Sequence, residues 1–255
     1  MMIDVNVCFG HWPFQKFPYS TLRALNEGLK KEGISQSLVS SLDAVLYPDP
    51  DWGNESLLPG LSFYPNLMPV GVVNPLLSNW RETLERCIGW EAKAIKIFPN
   101  YHSYPLSSSV VTALINELAG RKMPLLVQMR LEDERNQYPL LKVSGVEIEE
   151  VIKLANHFPE VPVFALCPYF KEAIDLVKNS TNIYVDISFV ETLNTVSALL
   201  KEIPATRVLF GSHTPFLYTR SAIMKIKATE IHRKDLEAIT HRNIRRLMKL
   251  EGEKP

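Results

Sequence analysis

Eight short apolar runs punctuate this sequence, and helical spacing follows most of them. That alternation limits the folds open to the chain more than any other feature. The runs are Met2–Phe9, Ser37–Leu42, Met68–Asn74, Ala92–Phe98, Pro124–Met129, Val161–Cys167, Ile183–Ser188 and Val208–Ser212. Each has the length of a strand buried on both faces. Helical spacing covers Thr21–Gly33, Trp80–Trp90, Ser107–Arg121, Val146–His157, Phe170–Lys178 and Glu191–Glu202. Asp43–Leu61 reads as loop, with one helical turn near Asn54–Leu58, and the tail Ser221–Leu250 reads as helix in two pieces. Strands alternating with helices eight times predict a (β/α)₈ TIM-type barrel, expected as one domain over residues 1–255. A doubly wound open sheet fits less well, because no Gly-rich phosphate loop follows the first strand.

In such a barrel the chemistry sits at the C-terminal strand tips. The eighth run, Arg207–Phe216, ends in Gly-Ser and then delivers a titratable group, His213, just before Pro215. The other tips carry Asn6, Cys8, Asn74, Lys96, Gln128, Cys167 and Ser188, and Arg130 follows Gln128 by two residues. These tips predict a cup that opens around Cys8, Gln128, Cys167 and His213. His213 is a candidate base, Cys8 and Cys167 are candidate nucleophiles, and Lys96 could orient a carboxylate. Asn6, Gln128 and Arg130 could hold polar or anionic ligand groups, with His11 at the mouth and Trp12, Tyr101, Tyr104 and Tyr169 as walls. Each also has a plainer reading. Cysteines pack as small apolar groups, Lys96 could pair with a neighbouring carboxylate, Asp4 reads as a structural hydrogen-bonding group, and His102 reads as solvated. His157, His232 and His241 read as surface residues.

Lys+Arg and Asp+Glu both number 28, so the formal charge is zero, which argues against a nucleic-acid or polybasic membrane binder. The three cysteines, Cys8, Cys87 and Cys167, are far apart and form no CxxC motif. With no signal-peptide pattern and no apolar run of membrane length, the expected compartment is the reducing cytoplasm.

The ordered motifs resemble the amidohydrolase-related (amidohydrolase 2) family of the metal-dependent hydrolase superfamily. Ile3-Asp4-Val5-Asn6-Val7-Cys8 stands where that family has Ile-Asp-x-His-x-His. Val70–Pro75, Ala94–Pro99 and Asn182–Ser188 are similar to its third, fourth and seventh strands. Phe210–Phe216 is similar to Phe-Gly-Ser-Asp-x-Pro-Phe, and His241–Leu247 to the closing helix. The resemblance implies a barrel and a small carboxylated substrate, and family members are often dimers or larger. It also implies one or two divalent metals held by four histidines and an aspartate. At those positions this chain carries Asn6, Cys8, Gln128, Cys167 and His213. Neutral amides are poor zinc ligands, so no cofactor is expected from the family pattern.

Three readings stay open from the sequence. The barrel could bind a small ligand without catalysis. It could be a metal-independent hydrolase or lyase built on His213, Cys8, Cys167 and Lys96. Or zinc could sit on a rebuilt Cys8, Cys167 and His213 set.

Overall fold

Eight parallel strands run in the order β1 to β8, each hydrogen-bonded to the next. They are β1 (Ile3–Phe9), β2 (Gln36–Ser41), β3 (Leu67–Val72), β4 (Ala94–Ile97), β5 (Leu125–Gln128), β6 (Val163–Leu166), β7 (Ile183–Asp186) and β8 (Val208–Leu209). The computed structural model describes residues 1–250, so the last five of the residues expected in the barrel lie outside it. β8 returns to β1 through Val5 N–H on the Phe210 carbonyl at 3.0 Å and Cys8 N–H on the Thr214 carbonyl at 2.8 Å. The (β/α)₈ expectation holds.

The helices are α1 (Leu22–Lys31), α2 (Asp43–Leu46), α3 (Pro50–Leu61), α4 (Trp80–Gly89), α5 (Ser109–Arg121), α6 (Ile148–His157), α7 (Phe170–Lys178), α8 (Thr195–Leu200), α9 (Thr219–Lys227), α10 (Arg233–Glu237) and α11 (Asn243–Met248). They cover the outside of the barrel with apolar stripes such as Leu25 and Leu29 of α1 and Val111, Leu114 and Leu118 of α5. None of the described helices is long and apolar enough to cross a membrane.

Two stretches differ from the sequence expectation. Residues 43–61 are mostly helical, not loop. The Pro-rich stretch read as loop in fact starts α3, with Pro50 in its first turn and the Asp49 side chain capping the Asp51 N–H at 3.0 Å. Gly53 lets α3 meet α2, since a Cβ there would lie 2.4 Å from the Ala44 nitrogen. The tail is in three helices, with a π-turn at Ala238–Arg242 between α10 and α11. There the Ile239 carbonyl accepts the Phe210 N–H at 3.0 Å, a bond outside the helix ladder.

The barrel interior has two storeys. The lower is apolar: Ile3, Val5, Leu38, Met68, Val70, Ala94, Leu126, Phe164, Leu166, Tyr184 and Leu209 pack together, and Ile244 of α11 joins them. The upper storey, toward the strand tips, is polar, with Asn6, Lys96, Gln128 and Asp186 buried there.

Candidate functional site

The tips bring Asn6, Cys8, Lys96, Gln128 and Cys167 together, all essentially without solvent exposure. Asn6 is the hub. A register shift in β1 between Asp4 and Val7 lets Asn6 and Cys8 follow Val5 on the inner face. The Asn6 amide donates to Asp186 Oδ2 at 2.9 Å and to Cys167 Sγ at 3.2 Å. Its carbonyl end accepts from Lys96 Nζ at 3.4 Å. Lys96 also reaches Ser40 Oγ at 3.4 Å and Cys8 Sγ at 3.6 Å.

Cys167 gathers donors on its sulfur: Asn6, Gln128 Nε2 at 3.1 Å and Ser188 Oγ at 3.3 Å. Phe164 and Leu166 face inward, so alternation would turn Cys167 outward. Its φ of 61° instead places the side chain in the cluster. His213 also has positive φ, 56°. Non-glycine residues in this region cost of order 1–3 kcal/mol each and collect at functional sites. Burial, with Asp186 close by, pushes the Cys167 thiol far up, so it stays protonated at neutral pH.

Ser188 was expected at a strand tip, whereas Asp186 was not singled out from sequence, yet Asp186 holds the cluster's frame. It accepts Cys167 N–H at 2.9 Å, Asn6 and the Ser188 hydroxyl, and burial raises its pKa. Gly211 is required beside it, because a Cβ there would lie 2.5 Å from Asp186 Oδ2. Alternation from the inward Tyr184 was the available signal, since it places Asp186 and Ser188 on the same face. Asp4 lies at the edge of this network, buried, accepting the N–H groups of Asn6 and Ser212 at 3.0 Å. Burial pushes its carboxyl up to about 7.

His213 sits apart from both thiols. Its Nε2–H donates to the Leu131 carbonyl at 2.7 Å, which leaves Nδ1 as a lone-pair acceptor with no partner. The ring stacks on Phe216 at 4.9 Å and meets the edge of Phe189 at 5.5 Å. Burial pushes it down to about 3, and the Lys96 charge acts the same way. It is a neutral imidazole, with no nucleophile in hydrogen-bond reach.

The expected open cup is therefore roofed. Trp12, Leu131 and Phe98 share one apolar cluster with Cys8, and Phe216 packs against it. The open cavity, about 620 Å³, lies above that roof and is lined by Leu131, Phe189 and Phe216 below and by Gln15, Glu132, Asp133, Arg135, Asn136, Tyr169 and Lys171 around it. Of the expected wall residues only Tyr169 lines it. Trp12 and Tyr104 are buried and Tyr101 is half-buried in the roof. Arg130 is buried as well, in a two-toothed ion pair with Glu172 at 2.7 Å and stacked on Tyr169 at 3.9 Å. His11 is exposed, on the rim of a second cavity. His102 corrects the solvated reading: its ring is mostly buried, which pushes it down to about 4.

No family model matches this sequence, and no curated protein matches it. Solved structures match along nearly the whole chain. A 2,6-dihydroxybenzoate decarboxylase from Rhizobium has a TM-score of 0.76 at 14% identity, covering 98% of this chain and 99% of its own. A dihydroxybenzoic acid decarboxylase from Polaromonas, with bound manganese and 2-nitroresorcinol, has a TM-score of 0.77 at 14% identity over 98% and 97%. A manganese-bound 5-carboxyvanillate decarboxylase from Novosphingobium aromaticivorans has a TM-score of 0.74 at 13% identity over 98% and 96%. At these identities the likeness defines the fold.

Manganese favours carboxylate, carbonyl and water oxygens, and the cluster is short of free carboxylates. Asp186 has both oxygens engaged, and the Lys96 charge stands between Asn6 and Cys8. Among the described residues no three His, Cys, Asp or Glu side chains are placed to hold a metal. The Cys8, Cys167 and His213 zinc set is not assembled. Cys8 turns to Ser40 and Lys96, Cys167 to Asn6, Gln128 and Ser188, and His213 to Leu131.

Proposed function

We propose that this barrel binds a small carboxylated compound without a metal, and that Lys96 receives the carboxylate. One observation carries the reading. The Lys96 head group is buried at the barrel axis, and no described carboxylate comes within 4.0 Å of Nζ to pair with it. Its contacts are long ones to an amide oxygen, a hydroxyl and a thiol, with the Phe98 ring face 5.2 Å away. A buried charge with no counter-charge is unfavourable, and an incoming anion offsets that cost. Asn6, Ser40 and Gln128 line the same spot with neutral hydrogen-bonding groups, and the Gln128 Oε1 acceptor has no partner. The names of the structural neighbours favour an aromatic acid, since they act on dihydroxybenzoate and carboxyvanillate.

Binding is a better fit than catalysis. A nucleophile needs a base in reach, whereas His213 is hydrogen-bonded to a backbone carbonyl and faces aromatic rings.

The test is calorimetric titration of 2,6-dihydroxybenzoate into chelator-treated protein, with metal content measured before and after treatment. Binding that survives chelation and weakens at least tenfold in Lys96→Met supports the reading. Stoichiometric metal whose removal abolishes binding, no binding at all, or equal affinity in Lys96→Met overturns it.

A further inference from the structure

A ligand for Lys96 meets a problem of access, since Lys96 is buried and does not line the open cavity. Two long segments without helix or strand form much of the roof. One is the strap His11–Ser20 between β1 and α1, and the other is the β5–α6 loop from Leu131 to Glu147. Each supplies one buried apolar group to the cluster that contains Cys8, Trp12 from the strap and Leu131 from the loop.

The strap is loosely bedded. Three open cavities of about 620, 710 and 440 Å³ border it, and Gln15 lines all of them. Its backbone is tied down at the start, where His11 N–H donates to Asp43 Oδ1 at 3.0 Å. Beyond that point rings hold it. Trp12 and Phe17 meet Phe216 at 5.4 and 5.0 Å, and Phe14 stacks on Tyr138 of the β5–α6 loop at 5.2 Å with 16° between planes. Phe14 and Tyr138 are 38% and 46% exposed, so this stack is an outer clasp joining the two segments, not part of the core.

We propose that the Phe14–Tyr138 stack is a latch. When it parts, the strap lifts, Trp12 withdraws from the apolar cluster, and the Cys8 and Lys96 cluster opens to the cavity above. The idea rests on the Lys96 reading for its purpose, but its test needs no ligand. Cys8 reports on the opening, while Cys87, buried on α4 against Gly71, lies outside the roof cluster and reports on loosening elsewhere.

The full chain is exposed to iodoacetamide and the alkylation of each cysteine is followed by mass spectrometry, in wild type, Phe14→Ala and Tyr138→Ala. One offset stack is a modest contact, so either variant should speed Cys8 labelling by about fivefold and leave Cys87 unchanged. Cys8 labelling that neither variant accelerates, or acceleration of Cys8 and Cys87 alike, overturns the latch. If Cys8 accelerates alone while Lys96→Met leaves ligand affinity intact, the latch stands and the binding reading falls.

Discussion

The two storeys of this barrel are made from the same eight strands, only a residue or two apart, yet they follow different rules. Phe164 and Lys96 are both fully buried and are among its largest fully buried side chains. Phe164 is surrounded by apolar partners and meets Tyr184 edge-on at 6.0 Å. Lys96 has an amide, a hydroxyl, a thiol and the face of the Phe98 ring for company. The lower storey follows what close packing favours, whereas the upper retains polar groups that packing alone would replace. That contrast is what the proposed role of the upper storey rests on.

The largest expected effect tests the lower storey. Phe164→Ala should lose about 3–5 kcal/mol in urea unfolding, because a cavity is left among side chains that cannot collapse. A loss below about 1 kcal/mol would mean that the lower storey is as adaptable as the upper.

The second concerns charge. Asp4 titrates near 7 folded and near 3.8 unfolded, so between those values the folded state keeps a proton that the unfolded state has released. Stability from this group is present below about pH 4 and is lost as pH rises to 7. His213, near 3, and His102, near 4, work the other way: the unfolded chain gains protons below 6.5 that the folded chain refuses, so stability falls as pH drops. Asp4→Asn isolates the first effect. Relative to wild type it should gain on the order of 3 kcal/mol between pH 4 and pH 7.5. Parallel stability curves for the two proteins would show that Asp4 does not titrate in this window.

The third is steric. Gly211→Ala drives a methyl group into Asp186 and should cost about 2 kcal/mol, with the cluster displaced. A crystal structure of the variant with Asp186 unmoved would count against its framing role. The smallest effect is the most telling. Lys96→Met keeps length and removes charge, and its unfolding free energy should stay within about 1 kcal/mol of wild type or rise. A loss of several kcal/mol would make Lys96 a structural residue and erase the contrast between storeys.

Much of this was legible beforehand. Eight apolar runs specified the barrel because strands buried on both faces read as near-continuous apolar stretches. The tips Asn6, Cys8, Lys96, Gln128 and Cys167 could be named because a barrel has one chemical end. The roof could not be read from the chain. Whether Trp12 lines a mouth or plugs it depends on where Leu131 and Phe216 settle, and those lie far along the sequence. Asp186 was readable by alternation, but the stretch Asn182–Ser188 drew notice only for its likeness to the family's seventh strand and for Ser188 at its tip. Asp49-Pro50-Asp51 misled because the residues that break a helix also begin one.

The left-handed backbone at Cys167 has one more consequence. A strand assigns its residues to inside and outside by odd and even position, and a residue with mirrored φ changes that parity without adding or deleting anything. Two barrels of this kind can therefore align column for column while their sixth strands present opposite columns to the axis. At such a tip the backbone conformation, together with the amino acid, decides which side chain the interior receives. Cys167→Gly should keep the switch and relieve its strain, whereas Cys167→Val places a β-branched residue where the left-handed region least tolerates it.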